Sequence, residues 1–146
     1  MDRQHHWNTV YGAKGERDVS WFEASPDVSL EMIEAAGLTR ETCVLDVGGG
    51  DSHLVDVLLS RGVTCVAVLD VAGAGLERAK ARLGESASAV TWIEADVTAD
   101  WSWNAADIWH DRAIFHMPTI ARCHASVAFM SRVACTTQCC GATTAR

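Results

Sequence analysis

No stretch of this chain stays apolar for the ~20 residues that a membrane helix requires, so no spanning segment is expected. The opening residues, Met1-Asp2-Arg3-Gln4-His5-His6, lack the basic-then-apolar build of a secretory leader, which points to the cytoplasm. A basic surplus is missing as well. Twelve Lys and Arg face 19 Asp and Glu, a net charge of −7, so a nucleic-acid partner is not indicated. Internal repeats and low-complexity tracts are absent. So is metal-ligand spacing: Cys123-His124, Cys135, Cys139 and Cys140 supply enough donors for zinc, but no Cys-x-x-Cys pair and no matching second half. No metal is expected, and in a cytoplasmic chain the cysteines are expected to be free thiols.

What remains is ordinary globular material. The 146 residues are 49 % apolar, too rich for a disordered chain and long enough for one domain with a real core. The averages conceal a seam. All 19 acids lie in residues 1–111 beside eight Lys/Arg, a balance of −11. Residues 112–146 carry four arginines and no acid, a balance of +4. Four of the six cysteines also fall in that last stretch.

Along the chain, residues 1–24 form a lead-in whose apolar anchors are Trp7, Val10, Tyr11, Trp21 and Phe22. A helix follows, with Ser25 as its cap, Pro26 in the first position and Gly37 as its stop. Then strand and helix alternate. Strands are expected at 43–47, 64–70, 89–94 and 106–110, and helices at 51–61 and 75–83, stopped by Gly62 and Gly84. Strands apolar on both faces, alternating with ten-residue helices, predict an α/β fold with a doubly wound parallel sheet.

The most informative stretch is Asp46-Val47-Gly48-Gly49-Gly50-Asp51-Ser52, where the first strand turns into a helix. Open α/β sheets bind ligands at such turns, and glycines let a ligand approach without meeting a Cβ. A dinucleotide site requires Gly-x-Gly-x-x-Gly, but the third glycine position holds His53. Asp46 and Asp51 would repel a pyrophosphate, whereas Asp46 suits an ammonium group. The helix expected from Asp51 would aim its free N–H groups at the ligand. Asp70 ends the next strand, where an acid can accept both hydroxyls of a ribose. Asp96 follows the third strand on the same edge and suits an exocyclic adenine amine. Ammonium, ribose and adenine are the polar features of S-adenosylmethionine.

With these residues the chain resembles the class I, seven-stranded, Rossmann-like S-adenosylmethionine-dependent methyltransferases over about residues 5–120. Residues 46–52 match their Asp-x-Gly-x-Gly-x-Gly motif, with Ser52 in place of the last glycine. The lead-in His6-Trp7-x-x-Val10-Tyr11 and the stretch Trp109-His110-Asp111-Arg112 resemble a branch with small-molecule and protein-lysine methyltransferases. The resemblance implies that Gly48, Gly49, Gly50 and Ser52 form the cofactor turn and that Asp46 orders the cofactor's amino end. Asp70 then holds ribose, Val71 and Val97 pack on adenine, and Asp96 meets its amine. His110 and Asp111 end the fourth strand facing the methyl group, as cofactor contacts or as the base. Trp7 and Trp21 are expected to pack a lid.

Two other readings stay open beside this one: a catalytically inactive cofactor-binding remnant or interaction protein, and an NAD(P)-dependent oxidoreductase. The methyl acceptor is unspecified. The family's later strands are not legible after Pro118. Residues 25–118 are therefore read as the binding core, and 119–146 as an atypical tail, truncated or out of frame and non-native or disordered. That would leave the fourth strand as an exposed edge, open to a partner chain or to self-association.

Overall fold

A computed structural model describes residues 2–15, 18, 25–103, 106–111 and 119–122. Helix α1 (Arg3–Ala13) opens the chain, with the Asp2 side chain accepting from the N–H groups of Gln4 and His5. Helix α2 (Asp27–Ala35) begins one residue later than expected. Pro26, at φ −83° and ψ 50°, sits outside the helix as its cap residue, and the Ser25 hydroxyl turns to the Asp27 carboxylate instead of capping. Strands β1 (Cys43–Val47), β2 (Cys65–Asp70) and β3 (Val90–Glu94) alternate with helices α3 (Leu54–Ser60) and α4 (Gly73–Leu83). β4 (Ile108–Asp111) and β5 (Thr119–Arg122) complete the described elements.

The sheet order is β3-β2-β1-β4-β5. The first four strands pair in parallel, as the repeated strand–helix rhythm requires. β5 runs antiparallel to β4, with Ile108 opposite Arg122 and Asp111 opposite Thr119. The bare edge expected on β4 is therefore occupied by residues placed in the tail. The lead-in anchors Trp21 and Phe22, together with Pro118, Cys123 and the later cysteines, lie outside the described residues.

Alternation along the strands sorts the core into two clusters. Val44, Val66, Val68, Val90 and Ile108 face Leu30 and Ile33 of α2, Leu54, Val55 and Leu58 of α3, and Leu76 of α4. Leu45, Val47, Ala67, Leu69 and Trp109 face the other way, against Val97, Trp101 and Trp103. Among the described residues the second face is thus covered by a tryptophan-bearing loop, where a doubly wound sheet was expected to carry helices. The Trp101 indole donates to the Val97 carbonyl at 3.1 Å and its ring lies 5.8 Å from that of Trp109.

One cysteine expectation fails. Cys43 and Cys65 are joined by a disulfide. Each opens its strand, and the parallel register sets them directly opposite with Cα atoms 4.6 Å apart, within the reach of the bond. Strand pairing decided this, and nothing in their spacing of 22 residues signals it.

Candidate cofactor site

The carboxyl ends of β1, β2 and β3 meet the glycine turn and α1. Gly48 (φ 71°) and Gly50 (φ 48°) take left-handed backbone, which glycine adopts without strain. The N–H groups of Gly48 and Gly49 both donate to the Leu69 carbonyl, at 2.7 and 3.3 Å. The turn is thereby fastened to the end of β2. α3 begins only at Leu54, not at Asp51, and its first N–H is taken by the Ser52 hydroxyl at 3.2 Å. The expected row of free N–H groups beginning at Asp51 is not formed.

A Cβ on Gly49 would lie 2.6 Å from Asp46 Oδ2 and 2.7 Å from Val68 Cγ1. Asp46 is therefore packed beneath the turn. It is buried, and its Oδ1 lies 2.7 Å from Nδ1 of His110, its partner across β1 and β4. His110 Nε2 is buried with no hydrogen-bond partner among the described residues. Asp111, next in β4, is fully buried. Asp51 is buried as well and lies 3.4 Å from the Arg78 guanidinium. Its charge is matched, so it is not the free repulsive carboxylate that the sequence suggests.

Asp70 closes β2. Its Oδ1 accepts from Ala72 N–H at 2.8 Å. Burial, reinforced by the Asp46 and Asp51 charges, pushes its carboxyl up to about 6, against the lowering effect of the backbone bonds from Ala72 and Gly50. Asp96 behaves in the opposite sense. Its Oδ1 accepts from the N–H and hydroxyl of Thr98 at 2.8 and 2.6 Å, and these bonds, with Arg3 at 3.5 Å, hold its carboxyl below the usual range. A cleft of about 420 Å3 lies beside it, lined by Asp2, Arg3, Gln4, Val71, Glu94, Ala95 and Asp96. Val71 and Asp96 thus meet where adenine was expected. Val97, in the turn beyond β3, is not among those walls: it packs into the tryptophan cluster on the second face.

Several further residues of the site lie outside the glycine turn and its acids. Helix α1 crosses the sheet's rim: Gln4 donates to Glu94 at 2.6 Å, and Asn8 accepts from Ala74 N–H at 3.0 Å, capping α4 from another helix. Tyr11 is buried against Gly50 and Gly75. Arg82 grips Asp56 with two bonds of 3.0 and 2.8 Å and also donates to the carbonyls of Asp51 and Ser52. The sequence marks Tyr11 as a lead-in anchor but gives no signal for Gln4, Asn8 or Arg82; the contacts of Gln4, Asn8 and Tyr11 depend on where α1 lies against α4 and the sheet rim.

No family model and no curated protein sequence matches the chain. Solved structures do. A methyltransferase from Thiobacillus denitrificans in complex with S-adenosyl-L-homocysteine superposes with TM-score 0.56 at 19 % identity, over 79 % of this chain and 46 % of its own. The fold is that of the class I methyltransferases. The protein described for conversion of a disulfide bond into a thioacetal group during echinomycin biosynthesis gives 0.61 at 19 % identity, covering 77 % and 48 %. A methyltransferase from Geobacter sulfurreducens, also with S-adenosyl-L-homocysteine, gives 0.50 at 26 %, covering 62 % and 37 %. The chain spans less than half the length of each of these three structures. No helix among its described residues is long and apolar enough to cross a membrane.

The residues of this rim fit a nucleoside-bearing cofactor. The turn at Gly48–Gly50 carries no Cβ and has the Tyr11 hydroxyl above Gly50, a desolvated carboxylate stands next to it on Asp70, and a cleft opens at Val71 and reaches Asp96.

Proposed function

We propose that the chain binds S-adenosylmethionine across the carboxyl ends of β1–β3 and acts as a methyltransferase on an amine or hydroxyl acceptor, carried by a small molecule or a protein lysine. The observation that carries this reading is the buried Asp70 carboxylate beside a Cβ-free turn, with a cleft that opens at the next residue, Val71, and reaches Asp96. A carboxylate pushed to about 6 by burial gains most from new donors, and the two hydroxyls of a ribose supply them. Val71 and Ala95 then bound the adenine, and Asp96 accepts from its amine. The turn from Gly48 to Ser52, with Asp46 beneath it, shapes the site for the amino-acid end.

When bound, the sulfonium supplies an electrophilic methyl group. The protein's own task is to orient the acceptor and exclude water. His110 is the proton acceptor in this reading. Donation from Nδ1 to Asp46 fixes the ring and leaves Nε2 as the bare nitrogen, and Asp46 stabilises the imidazolium that forms. Asp111, buried beside it, adds negative charge at the same strand end.

Titration calorimetry with S-adenosyl-L-homocysteine tests the binding step. A saturable heat that Asp70→Ala abolishes is expected; a folded sample giving no heat would remove the proposal. Methyl transfer to a panel of metabolites and lysine peptides then distinguishes an enzyme from a silent cofactor-binding protein.

A further inference from the structure

We infer that Arg78 is a positioning residue that latches the Tyr11 phenol into the ribose end of the site, so that α1 competes with the cofactor it helps to enclose. This rests on the proposed binding mode, but the latch itself is visible in the free protein. The Arg78 guanidinium donates to the carbonyls of Tyr11 and, at 2.6 Å, Lys14, which belong to the last turn of α1 and its cap. α1 has no basic residue of its own in that turn, so Arg78 supplies the cation its carboxyl end lacks. The same guanidinium lies 3.4 Å from Asp51 Oδ2 and 5.7 Å from the centre of the Tyr11 ring. One side chain thus ties together α1, α4 and the glycine turn.

What the latch holds is the decisive point. A Cβ added at Gly75 would meet the Tyr11 ring at 3.1 Å, and one added at Gly50 would collide with the Tyr11 hydroxyl. That second point lies only 3.3 Å from Asp70 Oδ2. The phenol hydroxyl and the Asp70 carboxylate therefore converge on the space above Gly50. Asp70 Oδ1 is already engaged by Ala72, so ribose hydroxyls reaching this carboxylate need the volume that the phenol fills. Phenol and ribose exclude one another. Withdrawing Tyr11 requires Arg78 to release the Tyr11 and Lys14 carbonyls, while Gln4–Glu94 and Asn8–Ala74 hold the other half of α1 on the rim.

Arg78→Gln removes the charge and keeps most of the side chain. Two readouts are taken: amide hydrogen exchange over residues 8–14 of the free protein, and the stopped-flow association rate of S-adenosyl-L-homocysteine. Exchange is expected to accelerate at least tenfold and association at least fivefold, with dissociation within twofold of the unmodified chain. Arg78→Lys, which keeps a donor for the carbonyls, should return both toward their starting values. Unchanged exchange, or association no faster than in the unmodified chain, overturns the inference. If the unmodified chain binds no S-adenosyl-L-homocysteine, the binding proposal fails, while the exchange readout still decides the latch. Should Arg78→Gln not fold, Tyr11→Phe removes only the hydroxyl above Gly50 and carries the same expectation for association; slower association would overturn it equally.

Discussion

Asp70 and Asp96 stand on the same rim, at the ends of neighbouring strands, and the protein treats them in opposite ways. Asp70 is buried with its carboxyl raised to about 6, while Asp96 is partly open and held low by Thr98. The difference comes from what covers each strand end. The glycine turn, Tyr11 and two other acids crowd the end of β2, whereas among the described residues the first turn of α1 and a short loop meet the residue beyond β3. Desolvation leaves the first carboxylate poorly satisfied and eager for donors; hydrogen bonding leaves the second content as it is. One end of the site is thus built for discrimination, the other for shape.

The packed end breaks most easily. Gly50→Ala puts a Cβ into the Tyr11 hydroxyl at a left-handed backbone position, and a loss of about 2–4 kcal/mol is expected in urea denaturation. A loss under about 1 kcal/mol would mean that Tyr11 is not seated there.

Asp70→Asn should weaken S-adenosyl-L-homocysteine binding by roughly 30–100-fold, the worth of charged hydrogen bonds to a ribose. The same change should stabilise the free protein near pH 8. Asp70 titrates at about 6 folded against 3.8 unfolded, so the fold binds the extra proton between those values. Its contribution to stability is fullest below about pH 4 and declines by roughly 2–3 kcal/mol as pH rises through 6. Denaturation midpoints measured from pH 4 to 8 should fall in the unmodified chain and flatten in Asp70→Asn. A parallel decline in both would assign the effect to another group.

Asp96→Asn tests the open end and should do least. An affinity loss of about threefold and a stability change below about 0.5 kcal/mol are expected by calorimetry and denaturation. A loss matching that of Asp70→Asn would erase the distinction between the two ends.

Much of this rim is legible in the residue order. The strand–helix rhythm, the glycines at 48–50 and the acids at Asp46, Asp70 and Asp96 all follow from period, turn chemistry and strand ends. Helix starts are less legible: Pro26 and the residues from Asp51 to His53 lie outside their helices, because a cap depends on backbone angles that a residue type permits without enforcing. The Asp46–His110 pair joins residues 64 apart that only the β1–β4 register makes neighbours. The same holds for Cys43 and Cys65.

The sequence by itself determined the α/β class, the parallel strands and the glycine turn with its three acids, since each rests on local periodicity or on chemistry within a few residues. The tertiary structure alone decided which acids are satisfied. It set Asp46 on His110, Asp51 on Arg78, and Tyr11 over Gly50. It also gave β4 a partner in Thr119–Arg122, and sent Val97 away from the cleft. Burial and charge pairing depend on elements distant in the chain crossing one another, and no spacing along the chain encodes where α1 comes to rest.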